Sequence, residues 1–339
     1  MQLIKRGGAI TFGMFLALTI TSPITAIGAS GPAVAPALVK APAPVTKKTD
    51  SPKWSISIGT EILDGDTTYQ IGYPITMNGQ TYEGYFPFSE LKWPLDVVLA
   101  RFAASASFSG NWKINTSLKK NVTDPGDNME DSDWITDSNP SRLDIFSTSE
   151  ISDFNATIFD FDVEYTFVQN PKFAFYGGLG YQYQKFDYDA QLIRQYSPSG
   201  LSGYDYVGDG RVGIAYDISY HMPYLMVGAD LNITPSFSLT GSVSVAPYVK
   251  AKDKDQHLLR EYGGKLTESD MDGTAFWTDV SGKYHFTPIW FVELGFHAAK
   301  IDVDGTMNQS YVWFGDFASN KVESESTQVS GYFNLGASF

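Results

Sequence analysis

The sequence contains no cysteine, so no disulfide frame can hold the chain together and no thiol can serve as nucleophile or metal ligand. It is also poor in charge: Asp, Glu, Lys and Arg make up only 18% of the residues, and the balance is acidic, with a formal net charge of -14. Nucleic acid is excluded as a partner on that ground, because its phosphates attract Lys and Arg. A basic partner suits the chain better. Beyond the first residues, no stretch offers the about 18 continuous apolar residues that a transmembrane helix needs, so no helical membrane anchor is expected.

What the chain has in excess is aromatic residues: 20 Tyr, 23 Phe and 7 Trp. So many rings with so few charges fit a large apolar outer surface better than a soluble core. At the N-terminus, Lys5 and Arg6 precede an apolar run at 9–20 and small residues at 26–29, the layout of a secretory signal over 1–29. Export from the cytoplasm is expected. Residues 30–53 are rich in Pro, Ala and Lys with no aromatics, and predict a flexible linker; residues 54–339 are left to form the folded domain.

That domain is written in a period of two. Phe159, Phe161, Val163, Tyr165 and Phe167 alternate with Asp160, Asp162, Glu164 and Thr166, which predicts a strand with one apolar and one acidic face. A barrel wall in a membrane supplies lipid to one face and water to the other. The alternation recurs at Trp54, Ile56 and Ile58; at Trp112, Ile114, Thr116 and Leu118; at Tyr216, Ile218 and Tyr220; at Phe237, Leu239, Gly241, Val243 and Val245; and at Trp290, Val292, Leu294 and Phe296. Short turn signals lead into aromatic strands at Ser109-Gly110-Asn111-Trp112, Asn170-Pro171-Lys172-Phe173, Thr234-Pro235-Ser236-Phe237 and Thr287-Pro288-Ile289-Trp290. Between them lie long polar stretches near 64–90, 119–153, 189–212, 250–273 and 302–327, expected as outer loops. Four short turns and five long hairpins predict an all-β, transmembrane, antiparallel up-and-down barrel of about ten strands. The last residues, from Tyr332 to Phe339, are apolar at every second position and end on an aromatic, as the terminal strand of bacterial outer-membrane barrels does. A secreted β-sandwich or jelly roll explains neither that ending nor the alternation of short and long connections. A barrel of this size is filled largely by its own side chains, so a general porin is disfavoured and function is expected in the loops and at the outer rim.

Two acidic clusters carry the candidate chemistry. In an extended chain Asp253, Asp255 and His257 project to one side, and so do Asp131 and Asp133. Without Ser or Cys as nucleophile, hydrolysis needs a base that deprotonates water near neutral pH; His257 suits the task, and Asp255 two residues away would fix its tautomer and stabilise its protonated form. Asp131 and Asp133 would hold the water from the other side, and Asp253 would form the negative floor of a pocket for an Arg or Lys side chain. Parity raises a conflict: Val243, Val245 and Val249 are odd positions expected to face lipid, yet Asp253, Asp255 and His257 are odd too. Either a bulge between Pro247 and Asp253 reverses the register or the strand has left the membrane by then. The pairs Asp270/Asp272 and Asp302/Asp304, each followed by Gly, offer oxygen ligands for calcium, but neither continues into a full ligand loop with its distal Glu.

These residues resemble the omptin family, ten-stranded outer-membrane proteases of Gram-negative bacteria. The likeness runs from about Trp54 to Phe339 and is densest at 128–134 with Ser138-Asn139-Pro140, at Gly180-Tyr181-Gln182, at Met222-Pro223-Tyr224, at 253–257 and at Thr287-Pro288. The resemblance implies an endopeptidase with Asp255 and His257 as the water-activating dyad, Asp131 and Asp133 as the facing pair, and Asp253 in the pocket for the basic side chain before the cleaved bond. It implies no metal or organic cofactor, basic peptides and proteins as substrates, and a monomer in the outer membrane with its site facing out. Where the family has a second acidic pocket residue, this chain has Tyr69, with Glu61, Asp64 or Asp66 as substitutes nearby. Lipopolysaccharide, an activating lipid for the family, would meet Tyr181 and Lys185 on the outer wall, while Ser219 and Met271 stand where basic residues are expected. The competing reading is a non-enzymatic adhesin or ligand-binding barrel; a narrow channel would need an open lumen.

Overall fold

The structure is a computed structural model that describes residues 53–108 and 111–339. The signal segment 1–29, the linker up to residue 52, and Ser109 and Gly110 of the first short turn lie outside the described residues. In chain order the strands are β1 (Lys53–Met77), β2 (Gln80–Tyr82), β3 (Ser89–Pro94), β4 (Val97–Ser107), β5 (Trp112–Asn121), β6 (Met129–Asp133) and β7 (Ile145–Gln169). They continue with β8 (Phe173–Tyr196), β9 (Tyr206–Val207), β10 (Val212–Thr234), β11 (Phe237–His257), β12 (Lys265–His285), β13 (Trp290–Tyr311) and β14 (Gly315–Ser338). Neighbouring ring strands pair antiparallel, and β1 pairs with both β4 and β14, which closes the sheet into a ring of about ten strands. β3 and β6 continue β4 and β5 beyond short breaks, and β2 and β9 decorate the outer hairpins. Among the described residues the ring leaves no edge to recruit a foreign strand along the wall.

Near the short turns the outward face is apolar: Ile58, Leu179, Leu225, Leu294 and Phe333 are all exposed, and this band is the lipid-facing belt. Above it the strands run on. The stretches expected as loops at 250–273 and 302–327 are mostly strand, with the connections reduced to 258–264 and 312–314. Beyond the lipid the outward face turns polar, so the apolar/polar contrast that marks a membrane strand disappears while the backbone pairing persists.

Tyr216, Ile218 and Tyr220 need a second correction, since all three face the lumen and are fully buried rather than lying on the lipid face. On β10 the outward residues are Leu225, Val227 and Leu231 at lipid height but Asp217 and Ser219 above it. The apolar residues therefore change sides along one unbroken strand, because water replaces lipid outside. On β11 the parity conflict is resolved by a bulge: the pairing with β12 steps from Ala246↔Ala275 to Val249↔Gly273, one extra residue on β11. Val245 is exposed, but Val249, expected on the lipid face, lies past the bulge and is buried with Ala251, and Asp253 and Asp255 follow them inward.

The lumen is crossed by side chains. Trp93 from β3 stacks on Tyr216 from the opposite wall with ring centroids 4.7 Å apart, and Tyr69 of β1 meets the same ring at 5.6 Å. Tyr188 Oη donates to Pro94 O at 3.2 Å, and the amides of Gln184 and Gln328 exchange hydrogen bonds across the barrel at 2.8 and 3.3 Å. Nearer the turns Glu61 accepts from Arg101 (3.0 Å), Lys119 (2.8 Å) and Ser330 (2.7 Å), so its buried charge is both paired and hydrogen-bonded. Trp93 has no solvent exposure and spans the lumen. Trp93→Ala is expected to cost about 3–5 kcal/mol, as full truncation of a buried aromatic does; the denaturant midpoint of the refolded protein in detergent measures it, and an unchanged midpoint refutes it.

Candidate active site

The outer end of β11, past its bulge, delivers Asp253, Asp255 and His257 to the lumen side. His257 Nε2 lies 3.1 Å from Asp255 Oδ2, an imidazole N–H donating to a carboxylate, which leaves Nδ1 as the ring's basic nitrogen. Asp255 is buried and His257 nearly so, within reach of the solvent at the rim. Across the barrel β6 carries Asp131 and Asp133, held between β3 (Leu91↔Asp131) and β7 (Asp131↔Ser147). The sequence separated these two clusters by more than a hundred residues; the ring sets them on facing walls. Asp131 and His257 line one cleft of about 400 Å³, whose walls are Ser147 and Ser149, Leu192 and Gln195, Tyr206 and Ile214.

The electrostatics tie the two walls together. Burial, then the neighbouring Asp133 and then Asp255 opposite push the Asp131 carboxyl well above the usual carboxylate range. Asp133 is raised as well, by burial, against a hydrogen bond from Ser89 and the charges of Arg260, His257 and Lys265. Such a pair retains a proton that isolated carboxyls would have lost. Asp131 Oδ1 and Asp255 Oδ1 are enclosed with no hydrogen-bond partner among the described residues, two buried acceptors left free. Lys265, directly opposite His257 in the β11–β12 register, has its amine pKa lowered by burial first, with Arg260 adding to it. Neither Lys265 nor Arg260 was singled out in the sequence, although both flank the Asp-x-His motif closely.

Asp253 lies deeper, 4% exposed, under the aromatic layer; Tyr216 Oη donates to its Oδ2 at 3.5 Å, while its Oδ1 has no partner among the described residues. Burial pushes its carboxyl up to about 7, with the neighbouring Asp255 charge adding to it and Ser269 opposing it. Tyr69 is fully buried beside it, donating from Oη to Met307 Sδ at 3.7 Å, and the nearby Asp253 and Asp255 add to the burial that raises its phenol. The acidic substitutes suggested for Tyr69 are engaged elsewhere: Glu61 in its ion cluster, Asp64 on the Gly65 amide at 2.8 Å, Asp66 with Lys92 at 3.3 Å.

On the outer wall Tyr181 Oη bonds His221 Nδ1 at 2.6 Å, and Lys185, opposite Ser219, pairs with Asp187 at 2.6 Å. Met271 is buried on the lumen side, so it cannot stand in the outer-wall position expected for it; the outward residues there are Asp270 and Asp272, paired with Lys250. Those same bonds occupy Asp270 and Asp272, and Asp302 of the other pair considered for calcium is held by Lys300 at 3.4 Å.

The segment after β6 is fastened by a residue that no motif marks. Asp144, fully buried, accepts from Thr136 N (2.9 Å), Arg142 Nε (2.9 Å) and Ser199 Oγ (2.7 Å) of the next hairpin, and its own N–H donates to Asp133 O (2.9 Å). Hydrogen bonds from Ser199 and Thr136, with Arg142, outweigh burial and hold the carboxyl down at about 2. Its folded pKa lies below the unfolded one, so its stabilisation is present above about pH 4 and is lost as pH falls toward 2. Asp144→Ala is expected to lower kcat by roughly tenfold by loosening Asp133, with the acid limb of unfolding moved to higher pH. Matched pH-unfolding curves and unchanged turnover would contradict this.

The sequence signature described as the Omptin family matches residues 55–309. This chain belongs to the omptin family. Protease 7 of Escherichia coli O157:H7 is 24% identical over 249 residues, 69% of this chain and 74% of that protein, and Protease 7 of Escherichia coli strain K12 matches over the same extent. The crystal structure of the outer membrane protease OmpT from Escherichia coli superposes with a TM-score of 0.67 at 19% identity, covering 86% of this chain and 98% of that one. The membership read from the acidic motifs is therefore correct, and with it go the class, an outer-membrane protease, and the place, the outer membrane of a Gram-negative bacterium.

Proposed function

We propose that this omptin is an endopeptidase whose water nucleophile is activated by His257 and Asp255 against the Asp131–Asp133 pair, cutting next to basic residues of peptides and proteins outside the cell. The observation that carries this reading is the 3.1 Å imidazole–carboxylate contact in a cleft shared with Asp131. Water held between His257 Nδ1 and Asp131 gives its proton to the imidazole as its oxygen attacks the peptide carbonyl carbon. Asp255 stabilises the imidazolium so formed. The proton retained by the Asp131–Asp133 pair is shared with the developing oxyanion, and His257 returns its proton to the leaving nitrogen as the C–N bond breaks.

A basic side chain before that bond reaches for Asp253 beneath the dyad, with Tyr69 where a second carboxylate would strengthen the preference. No metal or organic cofactor takes part in this scheme. Lipopolysaccharide acts as an activating lipid on the wall at Tyr181 and Lys185, and the protein works as a monomer. The test is hydrolysis of quenched fluorescent peptides with Arg-Arg, Arg-Lys and Ala-Ala junctions by refolded barrel, with and without lipopolysaccharide. Cutting at basic junctions, faster with the lipid, is the expected result; a folded barrel that cuts no junction refutes the reading.

A further inference from the structure

Two hairpin tips meet beside the dyad on the side away from the cleft. The β11–β12 connection at 258–264 and the β13–β14 connection at 312–314 are joined through their backbones: Val312 N donates to Gly264 O and Trp313 N to Tyr262 O, each at 3.2 Å. The Tyr262 ring stands edge-on to Phe314 at 4.9 Å, to Tyr311 at 5.5 Å and to Trp313 at 6.2 Å. Tyr262 has a φ of 60°, a left-handed conformation that bulky side chains avoid. The next residue, Gly263, lets the chain pass so close beneath Trp313 that an added Cβ would lie 2.6 Å from its indole nitrogen.

These rings are fixed yet uncovered. Val312, Trp313 and Phe314 are 68%, 70% and 69% exposed, and Leu258 and Leu259 beside them are exposed too. Isolated apolar side chains on a surface need no explanation, but a contiguous and pre-ordered aromatic patch marks a place of contact. It stands at the opposite end of the strands from the lipid belt, so the bilayer around the barrel cannot cover it.

His257 lies between this platform and the cleft. The cleft is walled by β7, β8 and β10, the platform by the tips of β11–β12 and β13–β14, and Leu259 belongs to both. On the reading of His257 as the catalytic base, an extended polypeptide with its scissile bond at His257 has the cleft on one side and the platform on the other.

We propose that the Tyr262–Trp313–Phe314 platform is an exosite for an apolar segment of the polypeptide substrate flanking the cleaved bond. The proposal rests on the reading of Asp255 and His257 as the hydrolytic centre. Continuity with the cleft through Leu259 identifies the occupant as the chain being cut, and the flat, rigid rings suit side chains such as Leu and Phe, which gain most from leaving water. The platform widens recognition beyond the residue before the cleaved bond.

The experiment compares a short Arg-Arg peptide with the same peptide extended at either end by a Leu/Phe segment or by a Ser/Gly segment. For the unaltered protein, one Leu/Phe extension is expected to raise kcat/KM roughly tenfold through KM, and the Ser/Gly extensions to leave it unchanged. Trp313→Ser/Phe314→Ser should erase that gain while cleaving the short peptide normally, which also shows that the variant is folded. An equal gain in the variant, or no gain in the unaltered protein while the short peptide is cut, overturns the exosite. If no peptide is cut at all, the hydrolytic reading falls separately, and fluorescence anisotropy of the labelled Leu/Phe peptide decides the exosite: binding lost in the variant supports it, equal binding overturns it. A dimer in detergent or adhesion to lipid vesicles that the double substitution abolishes, with peptide kinetics unchanged, would assign the platform to those partners instead.

Discussion

Replacing His257 by alanine is expected to lower kcat/KM by about 10³–10⁴-fold for every peptide the protein cuts, with little change in KM. The argument is geometric. Only His257 combines a carboxylate partner at 3.1 Å with a place on the cleft wall facing Asp131. His221 bonds Tyr181 on the outer wall, His285 stands beside Phe291 at the short-turn end of β12, and His297 lies 3.8 Å from Asp279 in the lumen below the aromatic layer, so none of the three can stand in. The ring fills no tight core space at the rim, so the barrel should keep its heat-dependent gel mobility. A variant that remains folded and retains more than a tenth of its turnover would remove His257 from the mechanism; Asp255→Asn should fall by a comparable factor, because the wrong partner at Nε2 upsets the tautomer.

Asp253→Ala is expected to lower kcat/KM by about 10²–10³-fold for peptides with Arg before the cleaved bond and by far less for Ala-Ala peptides. Removing one member of a buried charge pair costs about 2–5 kcal/mol, and Asp253 is the only acid on this floor among the described residues, since Tyr69 occupies the neighbouring place. A uniform loss across peptides would instead mark Asp253 as a structural support. The pH dependence separates the two further. Burial, opposed by Ser269 and reinforced by Asp255, puts this carboxyl at about 7, so its anion forms only as pH rises through that value. For basic peptides kcat/KM should therefore climb between about pH 6 and 8, and the climb should vanish in Asp253→Asn. Stability runs the other way. The folded pKa lies above the unfolded one, so the contribution is intact below about pH 4 and is lost as pH rises through about 7. Asp253→Asn should match the parent at pH 4 and unfold later than it at pH 8, as a thermal melt in detergent would record.

The belt of the barrel was legible because lipid on one side and water on the other impose a strict two-residue contrast, as from Phe159 to Phe167. Above the lipid the contrast fades or changes sides, so the tall hairpins read as loops and Tyr216, Ile218 and Tyr220 were set on the wrong face. The bulge on β11 was legible only as a conflict of parity, sharpened by Pro247; the pairing with β12 was needed to locate it. Of the site, the two acid motifs stood out as local spacings. The cleft wall did not, because Ser147, Leu192, Tyr206 and Ile214 come from separate strands and form a surface only when the ring closes. Asp144 was invisible for the same reason, its partner Ser199 being 55 residues away.

The stack of Trp93 on Tyr216, with the Gln184–Gln328 pair beneath it, makes the barrel a dead end. A polypeptide entering at the hairpin end has to depart by the same mouth, and its fragments are never handed inward. Cleavage at the proposed site is thereby uncoupled from passage through the barrel. Planar-bilayer recordings of the purified protein should accordingly stay silent.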